Sequence, residues 1–387
     1  MTITGRAAVS LLALANALAI GQARADDYYP KRQWGKLSGG EMHTSSFVFR
    51  DLNRNGIYDL GDRLMKSVVV KLTKSDGRWK TERTNINGFA NFDMSLTKRD
   101  RDVVDPGRYD FLVIPPPGWS VSTGNAEQNA EYETLPGAPG DMISLKTSHP
   151  VGLVQDLTIS GKAPAGAVVS LTAPDGTTNT VDVGKNGDFS ATASEGEWQV
   201  AVALADGASA GQRKVTVGAV PVVLSAFTSD VIGPEPDALP ERGVVGFDDL
   251  QHTATVQEVP SGYGGLRWYN VVAMHEFFAG GPGYINTAMS GEFIAYNSSG
   301  HPAQVWNDKP FDFEGAYFGV GWDDAEGETL ILKGWRGDNQ VYEDRVTLSA
   351  MGPVYVAADY RSITRLQIST EHYWQAAIDD FTYRLAP

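Results

Sequence analysis

The 387-residue chain contains no cysteine. Disulfides are therefore excluded, and an exported chain of this composition must be held by apolar cores, metal ions or partners. Basic residues are scarce: 32 Lys and Arg face 47 Asp and Glu, for a net charge of −15. Such a chain repels nucleic acid and anionic membrane surfaces, and suits calcium, cationic partners or neutral glycans. Apart from residues 7–20, no run is apolar enough to suggest a membrane span. That run follows Arg6 and precedes the small-x-small site Ala23-Arg24-Ala25. Residues 1–25 thus read as a secretory signal, and the expected location is extracellular or at the cell surface, with the periplasm as an alternative. Long helical periodicity is also missing.

What the chain does have is turns and short strands. With 42 Gly and 20 Pro, brief Val-, Thr-, Tyr- and Phe-rich runs recur between Asp-Gly and Asn-Gly pairs, the pattern of an all-β chain. We expect two prealbumin-like or Ig-like β-sandwiches followed by a jelly-roll β-sandwich. The expected boundaries are a flexible lead-in at 26–41, sandwiches at 42–147 and 148–230, a Pro- and acid-rich linker at 231–243, and the jelly roll at 244–387. The two sandwiches read as diverged copies. Val69-Val70-Lys71-Leu72 with Asp76-Gly77 corresponds to Val168-Val169-Ser170-Leu171 with Asp175-Gly176, and Asn87-Gly88 corresponds to Asn186-Gly187, all 99 positions apart. Pro106-Gly107-Arg108-Tyr109 corresponds to Glu195-Gly196-Glu197-Trp198 at an offset of 89. Loss of the charged region 97–105 from the second copy accounts for the change.

The most specific motif spans 51–62. Asp51, Asn53, Asn55, Asp59 and Asp62 occupy loop positions 1, 3, 5, 9 and 12, Gly56 sits at the sharp turn, and Ile57 offers a backbone carbonyl. This is the oxygen spacing of a calcium loop, with Asp in place of the terminal Glu. Its alternative reading is an Asp/Asn-rich solvent turn. The flanking residues 45–50 alternate like a strand, so the loop lies in a β context. This stretch, together with Val68-Val69-Val70-Lys71-Leu72, Thr84-Asn85-x-Asn87-Gly88-Phe89 and Pro106-Gly107-Arg108-Tyr109, resembles the B-type repeats of bacterial surface adhesins of the serine-aspartate-repeat kind. The resemblance covers residues 46–117. It implies a prealbumin-like spacer with structural calcium at Asp51, Asn53, Asn55, Asp59 and Asp62. The serine-aspartate tract is missing, and Leu239-Pro240-Glu241-Arg242-Gly243 is no sortase signal. The second sandwich is similar to carboxypeptidase-regulatory-like modules and lacks the calcium loop.

Residues 244–387 hold five of the nine tryptophans. Asp248-Asp249 opens this region and Asp379-Asp380 nearly closes it, each pair set in an apolar stretch. Unpaired buried carboxylates are costly, and first and last strands are often neighbours in a jelly roll, so the four acids could share a second calcium ion. Exposed strand-edge acids that deter aggregation are the alternative. The order of motifs from Gly246 to Phe381 resembles jelly-roll modules of secreted bacterial and fungal proteins that are often likened to carbohydrate-binding modules. Sugar faces stack on aromatic rings while polar side chains fix hydroxyls. The candidate ligand contacts are Tyr263, Trp268, Tyr269, Asn270, Tyr284, Trp306 and Trp335. Trp268 and Trp306 stand out by their Gly, Asn or Asp neighbours, although core packing is the competing role for each tryptophan.

Nothing reads as a catalytic constellation. There is no Gly-x-Ser-x-Gly or P-loop, and His275-Glu276 lacks a zincin's second histidine. Only Glu292, Glu314 and Glu343 stand as candidate glycosidase acids. The expected role is a secreted, calcium-stabilised, non-catalytic protein binding a glycan or extracellular matrix component. A self-associating structural subunit of a surface layer or filament, and a polysaccharide-active enzyme, are the alternatives.

Overall fold

The computed structural model describes residues 43–93, 106–134, 142–227, 237–250 and 255–386. The signal and lead-in, the 97–105 region and linker residues 231–236 lie outside them. The regular structure of the described chain is nearly all β, arranged as three sandwiches.

The first two sandwiches share one strand plan. Around the first Asp-Gly turn, Val69–Lys74 pairs with Trp79–Arg83 and then with Gly107–Ile114. Around the second, Val168–Thr172 pairs with Thr178–Asp182 and with Gly196–Ala203. The turns close alike, Gly77 N donating to Lys74 O and Gly176 N to Ala173 O, both at 2.9 Å. Gly77 and Gly176 have φ of 87° and 85°, a region that favours glycine, which is why the repeat is written in glycines. The facing sheets also match. His43–Arg50 pairs with Phe89–Asp93 and, in parallel, with Val151–Gln155. Thr158–Lys162 pairs with Asp188–Thr192 and, in parallel, with Val222–Leu224. Strand Val151–Gln155 thus completes the first sandwich, although the sequence reading puts it in the second. Its run Val-Gly-Leu-Val-Gln is buried against the first core, where Val151 and Leu153 are fully covered.

The C-terminal sandwich is built on two long bent strands, Ala303–Val320 and Val354–Thr370. One half of each lies in one layer and the other half in the facing layer. Ala303–Trp306 and Arg365–Thr370 join Arg267–Tyr269, Thr329–Arg336 and Asn339–Thr347. Phe311–Val320 and Val354–Ile363 join Ala376–Leu385 and, beyond it, Phe293–Asn297 and Val271–His275. The corners carry non-glycine residues at positive φ, Asp359 and Ser362 at 51° each. Buried Asp312 pins them, accepting from Ser362 N at 2.8 Å and Leu239 N at 2.7 Å. The two layers enclose one core of Phe311, Phe313, Phe318, Tyr360, Phe381 and their neighbours.

The opening strand Glu241–Val245 lies beside the closing strand Ala376–Leu385, as expected of a jelly roll. Residues 241–243, assigned to a linker by the sequence reading, are therefore sheet. Their Pro and acidic neighbours suggest a tether, but Leu239 is tied to Asp312 and Arg384.

The sandwiches are not separate beads. Val222–Leu224 of the second pairs in parallel with Tyr355–Ala357 of the third, so one sheet runs through both. The first docks on the third through Arg50, Arg63, Lys66 and Gln155, each bonded to residues beyond position 275.

Candidate functional sites: a seam loop and an open sheet face

The 51–62 loop leaves the strand His43–Arg50 and folds on itself. Buried Asp51 accepts from Asn55 N at 3.1 Å and Gly56 N at 2.8 Å. Gly56 stands at φ 75°, a conformation in which any side chain would be strained. The Asn53 and Asn55 amides both meet the Asp59 carboxylate, at 2.9 and 2.8 Å. Asp62 accepts from Leu52 N and Asp59 N, both at 3.0 Å. Burial raises the Asp62 pKa, and the charges of Asp51 and Asp59 add to the rise against those backbone bonds.

The sequence-predicted oxygens of Asp51, Asn53, Asn55 and Asp59 are thus brought together, with Asp62 closing the loop. This all-oxygen donor set fits calcium. Among the described residues no three carboxylate or imidazole groups converge closely enough to hold an ion by themselves. A bound cation would therefore also need the amide oxygens of Asn53 and Asn55, which an amide flip presents, and the Ile57 carbonyl.

The loop sits at a seam. Arg54 donates to Gln155 O at 2.6 Å and ion-pairs with Glu195 of the second sandwich at 3.0 Å. Arg63, directly after Asp62, ion-pairs with Glu276 of the third at 3.1 Å. Arg50, directly before Asp51, is fully buried and donates to Asn286 O at 2.7 Å and Ala288 O at 3.1 Å. These carbonyls end the buried helix Pro282–Thr287, where a cation also suits the helix dipole. Burial lowers the Arg50 pKa to about 9.

The two Asp-Asp pairs act mainly as anchors. Asp379, wholly buried, accepts from Met289 N at 2.6 Å, Ser290 N at 3.0 Å and Asp380 N at 2.8 Å. Asp380 accepts from Ser290 Oγ at 2.6 Å, and Asp248 from Glu292 N and Phe293 N at 2.6 and 3.0 Å. Asp249 takes the Tyr263 hydroxyl. Asp248 and Asp380 do meet across Gly246, where a Cβ would lie 3.4 and 3.3 Å from their oxygens. The convergence of all four that a shared ion needs is not found: main-chain N–H groups take Asp248 and Asp379, and hydroxyl groups take Asp249 and Asp380.

Burial, and next the charge of Asp380, raise the Asp379 pKa to about 7. Its free value is near 3.9, so the folded chain holds the extra proton between about pH 4 and pH 7. This contribution to stability is full below pH 4 and is lost as pH rises through 7. Unfolding titrations should show wild-type stability falling by about 2–3 kcal/mol from pH 5 to pH 8 through this group. Asp379→Asn should flatten that slope, and an unchanged slope would refute the assignment.

The ligand candidates separate. Trp268 is core, edge-on to Phe247 and Phe381, with its indole N–H on Tyr263 O at 2.8 Å. Tyr284 is buried against Tyr296 and Trp322 and bonded to Gln375. Asn270 spends its amide on Ser298 O and His301 O. Tyr263 packs on Phe247, and burial, then Asp249, raise its pKa. These four therefore build the sandwich.

Trp306 and Trp335 lie on its outer face, both half-buried. Trp268, Val305, Leu332 and Leu366 point into the core, so their strand neighbours point out. In register across four strands run Arg267, Trp306, Arg365 and Trp335, and beside them Tyr269, Gln304, Gln367 and Lys333. The Arg365 guanidinium lies over the Trp335 ring, 4.3 Å from its centre. Tyr269 is 61% exposed. The result is a shallow aromatic and amide-bearing platform on a rigid sheet. Sequence reasoning named Tyr269 and missed Gln304, Arg365 and Gln367 as site residues. The alternation Arg267-Trp268-Tyr269 and Arg365-Leu366-Gln367 carried the signal.

The three candidate acids are engaged apart. Glu314 is held by Arg242 and Arg384; burial works to raise its pKa, and those guanidinium bonds outweigh it. Glu292 faces His275, and Glu343 faces Lys333 and Arg345.

No family model matches the chain, and no curated protein matches it. Solved structures give weak similarities. The Bacillus anthracis TIE protein has 10% identity and a TM-score of 0.22 over 48% of this chain, which spans about a third (32%) of that one. The major pilin protein T-13 from Streptococcus pyogenes has 8% identity and a TM-score of 0.23, covering 84% of this chain and 99% of that one. The M60 catalytic domain with CBM51 domains from Clostridium perfringens ZmpB has 12% identity and a TM-score of 0.22, covering 92% and 32%. At these TM-scores, none of these proteins' roles transfers to this chain.

Proposed function

We propose that this chain is an exported, non-catalytic binding protein whose C-terminal sandwich presents a glycan-binding sheet face and whose first sandwich is stapled by calcium at the 51–62 loop. The observation that carries the reading is the platform in which Trp306, Arg365 and Trp335 lie in register beside a second row of Tyr269, Gln304 and Gln367. Flat aromatic surfaces take the CH faces of a sugar, and side-chain amides take its hydroxyls. An open platform suits an extended polymer held along its length rather than a small molecule enclosed in a cleft.

Affinity electrophoresis in gels containing soluble polysaccharides, with pull-down on insoluble ones, tests this reading. Trp306→Ala should weaken retention about tenfold, the loss of one stacking contact of about 1.4 kcal/mol. Trp79→Ala, at a 62% exposed position in the first sandwich, should leave it unchanged. Equal loss in both variants, or no retention by any polysaccharide, would remove the platform as the binding site.

A further inference from the structure

We infer that the ligand of this face is an anionic glycan, whose ring-borne oxyanion, carboxylate or sulfate, is gripped by Arg365. The inference rests on the glycan reading above and narrows it against the charge of the whole chain, which at −15 favours neutral ligands. Arg267 is paired with Asp308, and Lys333 and Arg345 both face Glu343. Arg365 has no carboxylate partner among the described residues; its contact is the indole of Trp335.

Arg365 is also central. Its strand lies between those of Trp306 and Trp335, and it is the register partner of both. A guanidinium laid on an aromatic ring keeps its rim of N–H groups free in the plane, positioned for a bidentate oxyanion. Trp306 on the opposite side is placed for the sugar ring that bears this group. A sheet face of an acidic protein that keeps an unpaired, ring-stacked guanidinium at its centre, between two tryptophans, is complementary to a sugar acid and not to a plain hexose.

The test titrates the full-length protein with three pairs of probes: oligogalacturonate and alginate oligosaccharides, each beside its carboxyl-reduced counterpart, and dextran sulfate oligosaccharides beside unsulfated dextran. At least one anionic probe should bind at least tenfold tighter than its neutral counterpart, and that preference should shrink as salt rises. The uronate and dextran sulfate arms distinguish carboxylate from sulfate. Arg365→Gln should abolish the preference for the anionic probe over its neutral counterpart, and Arg365→Lys, which keeps charge without the fork, should restore only part of it. An unchanged unfolding midpoint confirms that both variants fold. If every neutral counterpart binds as well as its acid, or if Arg365→Gln leaves the preference intact, the inference is overturned and the platform stands. If no probe of either kind binds and the polysaccharide gels show no retention, the platform falls with it.

Discussion

Calcium should raise the unfolding midpoint of this protein, and EDTA should reverse the rise. A ligand that binds only the folded state stabilises by RT ln(1 + [L]/Kd), about 2.7 kcal/mol at a hundredfold excess. The cause is local. Asp51, Asp59 and Asp62 repel one another within one short loop, and burial adds to the cost for Asp62. A cation relieves both. Asp59→Asn keeps the size of the side chain and removes one charge, so it should lose most of the calcium-dependent rise at little cost without calcium. Asp51→Ala should lose the rise and also destabilise the calcium-free protein by about 1–3 kcal/mol, because Gly56 N loses its acceptor and Asn55 N keeps only Asn53 Oδ1. Calorimetry with and without calcium reads both effects. A midpoint that does not move at millimolar calcium would end the staple proposal, leaving the loop as a self-bonded turn.

Replacing Arg50 should be the more damaging change. Arg50→Met fits the volume of a buried chain but strips hydrogen bonds from the carbonyls of Asn286 and Ala288 and removes a positive charge near Asp379. The expected loss is about 3–5 kcal/mol, the usual cost of breaking a buried charged contact on one side. The same segment is clamped by carbonyls on Arg50 and by N–H groups on Asp379. Arg50→Met should therefore also uncouple the first sandwich, splitting one unfolding transition into two. A single transition displaced by under 1 kcal/mol would show that the seam contributes little.

Much of this architecture was legible, for identifiable reasons. The duplicated sandwich shows because its turns need positive φ, and glycine marks those positions in the sequence. The calcium-type loop shows because its ligands are local. What did not show is non-local. Nothing in Val151–Gln155 names its partner, Val48–Arg50, about a hundred residues earlier. The continuous sheet between second and third sandwiches rests on a three-residue pairing, Val222–Leu224 with Tyr355–Ala357.

Trp268 misled because Gly and Asn neighbours suggest a loop, whereas facing is set by strand alternation, and it alternates inward between Arg267 and Tyr269. The Asp-Asp pairs suggested metal because sequence shows carboxylates and not the main-chain N–H and hydroxyl groups that fold onto them. The charged edge strands Trp79–Arg83 and Asn339–Thr347 bear on the filament alternative, since Lys80, Glu82, Glu343 and Arg345 oppose strand addition.

The most direct measurement is hydroxyl-radical footprinting of the protein with and without a retained polysaccharide. Tyr269, Trp306 and Trp335 should be protected on binding, while Trp79 and Tyr373, exposed elsewhere at 62% and 65%, should oxidise as before. Protection of Trp79 or Tyr373 with the sheet face unchanged would place the ligand elsewhere and contradict the binding platform.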